Sequence, residues 1–318
     1  MRCGLASALG LAALGVVPRP AAPGPRPVAV SGRVVRIVGR DTVAIADVRV
    51  VLHRVTVQQP GPIDSTRCDR QGGFGFRVVP DTGAIYLVSA RWSGIEYFGT
   101  PLALTPNSPP PAVTLVVADT SSQAPVHLAA RHLIVSPITT DGVRDVVDLM
   151  VLENRGPLTR VSPDSAQATW RVRLPHFAVN VHGGNSGFSL QSLVLAGDTI
   201  ALYAAIPPGS HDVEIDYQIP PYSRRFAVPV DEDVPVSNII SADLGMVVHG
   251  AFTRADTTID KTRYARWQGS MAADQPVLLQ FGRSGVPGWL LPAMVGVMAV
   301  VLVAVTLRAT RSSANRLH

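Results

Sequence analysis

The sequence predicts an all-β protein: two tandem antiparallel β-sandwich domains followed by a single C-terminal transmembrane helix. Three observations carry that prediction. Apolar and polar residues alternate over short segments between residues 27 and 283, the period of strands with one buried and one wet face. Turn-forming residues separate those segments, with 27 Gly and 27 Pro in a chain of 318. Residues 286–307, VPGWLLPAMVGVMAVVLVAVTL, carry no charge at all.

At the N-terminus, Arg2 precedes an apolar run from Cys3 to Val17. A basic start and an apolar stretch too short to span a bilayer read as a secretory signal over 1–22. Pro18, Pro20, Pro23 and Pro25 crowd the cleavage region, so an uncleaved N-terminal anchor is the alternative. After cleavage Cys68 would be the single thiol, and no intrachain disulfide is then possible.

The first domain is expected over 27–117. Arg33–Ile37, Val48–Val55, Phe74–Val79, Ile85–Ala90 and Val113–Val117 are short, β-branched or aromatic. Gly72-Gly73 provides a tight turn between two of them. In the Ile85 segment, Tyr86, Val88 and Ala90 share one face and Ile85, Leu87 and Ser89 the other.

Four stretches follow a recognisable order: Ser31-Gly32-Arg33-Val34, Asp47-Val48-Arg49-Val50, Asp69-Arg70-Gln71-Gly72-Gly73-Phe74-Gly75-Phe76, and Ala84-Ile85-Tyr86-Leu87-Val88. Together they resemble the carboxypeptidase regulatory-like domain, with the Asp-x-x-Gly-x-Phe turn as the most specific element. The resemblance implies a transthyretin-like seven-stranded sandwich that acts as a non-catalytic accessory or binding module. Cys68 stands where that family often has Thr, and the family's Pro-Gly before the Tyr strand is stretched here to Pro80-Asp81-Thr82-Gly83.

Asn107-Ser108-Pro109-Pro110-Pro111 interrupts the first domain, and 118–125 reads as a linker. A second β-sandwich is expected over 126–283, without a family resemblance. Its strand-like segments are His132–Val135, Val146–Leu152, Ala168–Leu174, Gln191–Leu195, Thr199–Ile206, His211–Gln218, Met246–Thr253 and Pro276–Phe281. Gly197-Asp198 reads as a hairpin turn, and the hydrophilic stretch 254–266 as a surface loop.

An uncharged run of 22 residues reaches roughly 33 Å as a helix, enough for a hydrocarbon core of about 30 Å. Residues 286–307 are therefore read as the membrane helix, with Trp289 at one interface. Arg308, Arg311 and Arg316 make 308–318 a basic cytoplasmic tail. With Arg2 and Arg19, these arginines account for the whole net charge of +5. The high pI of about 9.7 thus marks termini and not a clustered basic face, which excludes nucleic acid as a partner.

No reactive constellation emerges. His211-Asp212-Val213-Glu214 has the His-x-x-Glu spacing of a zinc pair in metallocarboxypeptidases. It lies in an alternating strand, however, where residues three apart project to opposite faces. His53, His127, His132, His176, His182 and His249 lack compact ligand spacing, and His176–His182 reads as an exposed loop. Asp231-Glu232-Asp233 lacks a calcium loop and reads as a solvated acidic turn. Ser186-Gly187 and Ser284-Gly285 lack the nucleophile-elbow context. Trp92, Trp170 and Trp267 could stack on sugars but read as core residues. The sequence thus assigns no catalytic, cofactor-binding or metal-ligating residue and predicts no enzyme. It predicts a membrane-tethered extracytoplasmic interaction or scaffold protein of the cell envelope, held in the membrane by 286–307 and binding a protein partner. The alternative is a tethered module for a glycan or other small ligand.

Overall fold

The computed structural model describes residues 26–106, 110–184, 186–220 and 223–282. The expected leader, membrane helix and basic tail lie outside the described residues, among which no helix is long and apolar enough to cross a membrane. The protein is all-β in several sheets; among the described residues the one helical element is a single 3-10 turn at Leu190–Ser192. It divides into two compact units between Val117 and Ala118, with residues 36–42 counted in the second.

The first unit holds β1 (Val28–Val38), β2 (Asp41–Ala44), β3 (Arg49–Val55), β4 (Gly61–Arg67), β5 (Gly73–Val78), β6 (Ile85–Trp92), β7 (Ile95–Phe98), β8 (Leu102–Ala103) and β9 (Val113–Val117). One sheet runs β2-β1-β5, with β9 also on β1; the other runs β4-β3-β6-β7, with β8 on β6. Their inner residues form one apolar cluster, in which Val30, Phe76 and Leu115 of the first sheet meet Leu52, Tyr86 and Val88 of the second. The expected facing of β6 holds, since Tyr86, Val88 and Ala90 are fully buried.

The Asp69–Phe76 stretch has a clear local logic. The Asp69 carboxylate accepts the amides of Gln71 (2.8 Å) and Gly73 (2.7 Å), and Asp69 N donates to Gly73 O at 2.9 Å. Gly72 closes this turn at φ +76°, where an added Cβ would stand 2.5 Å from Val34 O. Phe74 and Phe76 then enter the core, ring centroids 6.0 Å apart. Cys68, just before the turn, is buried. Its sulfur receives the Val48 amide at 3.2 Å and donates to Ile45 O at 3.1 Å, fastening the end of β4 to the approach of β3.

The second unit begins with β10 (Thr120–Ser121), β11 (His127–Val135), β12 (Arg144–Asn154), β13 (Thr159–Arg160), β14 (Trp170–Arg173), β15 (Val179–Gly183), β16 (Leu193–Ala196) and β17 (Thr199–Leu202). It continues with β18 (Gly209–Ile219), β19 (Arg225–Val228), β20 (Val234–Ser241), β21 (Val247–His249), β22 (Phe252–Arg254), β23 (Thr257–Ile259), β24 (Thr262–Met271) and β25 (Val277–Gln280). An eight-stranded sheet runs β15-β18-β12-β11-β20-β24-β22, with β23 on β24. Two three-stranded sheets, β14-β17-β16 and β19-β25-β21, contribute Trp170, Leu202, Phe226 and Leu279 to the same core as Met150, Ile215 and Ile239 of the large sheet.

Three expectations are corrected. Pairing is not antiparallel throughout: β11 runs parallel to β20 and β10 parallel to β13. Long connections permit this, because only tight hairpins force neighbours to run antiparallel. Residues 254–266, expected as a surface loop, hold β23 and the first half of β24, with Asp256 bridging Arg254 (2.7 Å) and Arg263 (2.9 Å). Residues 118–125 are not a free linker, since β10 pairs within the second unit and Ala118 and Ala124 are buried.

An ion pair sits inside the second core. Arg131 of β11 donates to Asp148 of β12 through Nε (3.0 Å) and Nη2 (2.6 Å), and to Pro229 O through Nη1 (2.8 Å). Both side chains are essentially inaccessible. Burial opposes the Arg131 charge, but the Asp148 carboxylate outweighs it and holds the guanidinium above its ordinary value. The Tyr217 hydroxyl is buried nearby, with no hydrogen bond of ordinary distance and angle but close enough to the Asp148 carboxylate to interact with it. Burial first, and that carboxylate second, push its pKa well up.

Candidate functional site

Six exposed large apolar side chains, Phe177, Val179, Leu190, Val194, Leu195 and Tyr203, fall within residues 177–203 of the second unit. Buried Leu174 ends β14 and donates its amide to Asp198 O at 2.6 Å, drawing the β16–β17 hairpin turn toward the β14–β15 connection. Pro175 turns the chain there, its carbonyl accepting the Ala178 amide at 2.8 Å. The result is an open cleft of about 370 Å³ lined by Leu174, Pro175, His176, Ala178, Val181, Gly197 and Asp198. His176 Nδ1 stands 4.0 Å from Asp198 Oδ2 at its rim. Beside it Phe177 projects, 67% exposed and edge-on to the His176 ring at 4.8 Å.

Val179, Leu190, Val194, Leu195 and Tyr203 are also exposed, with Val194 and Leu195 on opposite faces of β16. Leu190 approaches Gly183, and Tyr203 N binds Ser192 O at 2.8 Å, which ties this region into one local assembly. β16 is the edge of its sheet and reads Leu193-Val194-Leu195-Ala196. Natural edge strands are commonly guarded by charge, Pro or a bulge; this one has none within its span. Chemically, the region offers apolar contact area and unpaired strand backbone, with one imidazole and one carboxylate at its rim. Such a surface suits docking better than catalysis.

Other residues singled out in the sequence are dispersed. His211 turns inward on β18, its Nε2 2.9 Å from Pro207 O and its ring 5.4 Å from Phe188. Glu214, on the opposite face, is held by Ser186, whose hydroxyl accepts the Glu214 amide at 3.0 Å. His182 Nε2 lies 3.6 Å from Asp216 Oδ2; burial and neighbouring Glu214 raise the Asp216 pKa, and His182 partly offsets them. His53 bonds Ser89 at 2.8 Å, His132 Asn238 at 3.1 Å and His249 Gln280 at 3.1 Å. Burial, with Arg266 second, lowers the pKa of His132. His127 opens β11.

The acidic triplet is a clasp and not a free turn. Asp231 accepts the Arg173 amide (2.7 Å), Glu232 the Leu128 amide (3.1 Å) and Asp233 the Ala273 amide (2.8 Å). Trp170 and Trp267 belong to the second core, and Trp92 packs against the first. Ser284 and Trp289 lie outside the described residues. Among the described residues, no three His, Cys, Asp or Glu side chains converge in a way that could hold a metal. The cleft escaped sequence reasoning because it depends on the Leu174–Asp198 backbone bond, which no local motif announces.

A scan against protein-family models found no match, and a search of curated proteins found no similar chain.

Proposed function

We propose that this chain is a membrane-tethered, extracytoplasmic, non-catalytic interaction protein of the cell envelope, with two tandem β-sandwiches carried on a helix formed by 286–307. One observation carries the binding role: the exposed apolar surface around Phe177, Leu190, Val194 and Leu195, bounded by an unguarded edge strand. Exposed apolar side chains on both faces of an edge strand, Val194 on one and Leu195 on the other, fit a protein partner. The tether rests on the uncharged run 286–307, the arginines beyond it and the apolar leader. The proposed kinship of the first unit to the carboxypeptidase regulatory-like domain draws support from the Asp69 turn and the inward placement of Phe74 and Phe76.

Crosslinking in intact membranes, followed by identification of the captured protein, tests the role. Val194→Lys and Leu195→Lys should each cut the captured partner severalfold without lowering thermal stability. Capture unchanged by both would sink the assignment of this surface. Added protease should digest the body of the chain in right-side-out vesicles and spare the tail from Arg308. Digestion of the tail alone would reverse the orientation.

A second reading is favoured by the cleft: Phe177 beside His176 and Asp198 offers a stacking face with polar groups at its edge, an arrangement suited to a glycan. Calorimetric titration with oligosaccharides, compared with Phe177→Ala, separates the two readings.

A further inference from the structure

The outer face of the eight-stranded sheet carries an unusual ladder. On one cross-strand row lie Asp216 (β18), Val147 (β12), Ile134 (β11), Ile240 (β20) and Arg266 (β24). The next row reads Glu214, Leu149, His132, Asn238 and Gln268. Beyond it, Val151 pairs with Asp212 on β18, and Ala130 with Val236 on β20. The first and third rows are therefore aliphatic at their centre, the row between them carries the hydrogen-bonded pair His132 and Asn238, and one flank is acidic and the other headed by an arginine. Sheets that face water on one side ordinarily show polar residues there, whereas Ile134 is 50% exposed and Val236 51%. None of these aliphatic residues packs against the core of its own unit.

We propose that this chain pairs with a second copy of itself through this face, about a two-fold axis running along β11. That rotation returns each row to its own level and exchanges its two flanks. Asp216 then opposes Arg266 of the other copy, Val147 opposes Ile240, and Ile134 meets its own counterpart at the axis. Glu214 faces Gln268, Leu149 faces Asn238, His132 meets its own counterpart at the axis, and Val151 faces Val236. The arrangement is isologous, as two-fold dimers require; Asp216, already 3.6 Å from His182, and Arg266, which also holds Asn238, form its opposite-charge pair, and that self-complementarity selects a second copy over an unrelated partner. From β18 to β24 the face is about 19 Å wide, and over Ala130 to Val135, where β11 pairs with β20, about 20 Å long, by ordinary strand spacing and rise. The resulting footprint of roughly 400 Å², before side-chain relief is counted, is about half of the roughly 800 Å² per partner of a standard interface. The proposal involves neither the β16 edge nor the membrane helix.

The test uses the full chain in its own membranes. Stacked sheets lie about 10 Å apart, too far for a disulfide at the axis but within reach of a short bismaleimide. Ile134→Cys should crosslink to a dimer about tenfold more than Val194→Cys on the β16 edge, with the wild-type chain and its buried Cys68 as background. In the Ile134→Cys chain, Asp216→Arg or Arg266→Asp alone should cut the dimer about tenfold through like-charge opposition. Together they should restore most of it, which a merely misfolded single variant cannot mimic. A yield no higher than that of Val194→Cys, a product containing a different protein, or a double exchange no better than either single one would overturn the proposal.

Discussion

Arg131 and Asp148 show what a single buried pair asks of its surroundings. Two charges leave water together, and the cost is offset only because the carboxylate is met twice by the guanidinium, which spends another donor on Pro229 O. Removing one partner strands the other. Asp148→Asn should therefore cost about 3–5 kcal/mol, measurable as a lower denaturation midpoint of the second unit. Tyr217 beside them behaves in the opposite way. Its buried hydroxyl makes no hydrogen bond of ordinary geometry, so Tyr217→Phe should change stability by no more than about 1 kcal/mol. The raised tyrosine pKa also fixes a sign. Below about pH 10 both states hold the proton; above it the unfolded chain releases a proton that the folded chain keeps, so stability falls as pH rises. Urea titrations between pH 9 and 11 should show that decline for the wild type and a shallower one for Tyr217→Phe. Equal slopes would mean that the hydroxyl is not the group responsible.

Among the strands, β1 and β24 test close packing most directly. Gly32 lies on β1 where an added Cβ would stand 2.1 Å from Val113 O and 2.6 Å from Phe74 Cζ. The first is backbone and cannot swing aside, so Gly32→Ala should destabilise the first unit by about 1–3 kcal/mol, read from its melting temperature. β18 was legible in the sequence because every inward position from Val213 to Ile219 is apolar and every outward one polar, giving a clean period of two. β20 was not. Its inward residues include Ser237 and Ser241, and a register shift between Val234 and Ser237 breaks the alternation. β24 was hidden differently: only Ala265, Trp267 and Met271 are buried, and the arginines between them read as a solvated loop. The acidic triplet misled for a related reason, since each carboxylate meets a backbone amide from a distant segment. The cleft at His176 and Asp198 had no local signature at all.

At the scale of the whole chain, the two apolar clusters share no residue. Each unit should then melt on its own account. A chain ending at Gly282 is expected to be soluble, rich in β-structure and to give two calorimetric transitions. Gly32→Ala should move one and Asp148→Asn the other; a single transition displaced by both would show that the units unfold together.

The parallel pairing of β11 with β20 sets a clock on biosynthesis. Ser237 accepts its place beside Arg131 across 106 residues of chain. At about 5–20 residues per second, the ribosome delivers β20 roughly 5–20 s after β11. Through that interval β11 has β12 for company on one side and nothing on the other, while the Arg131–Asp148 pair still faces water. Loop closure over such a distance comes late. An export route that threads the chain unfolded across a membrane would spare this half-made sheet, since both strands would reach the far side before either had to choose a neighbour.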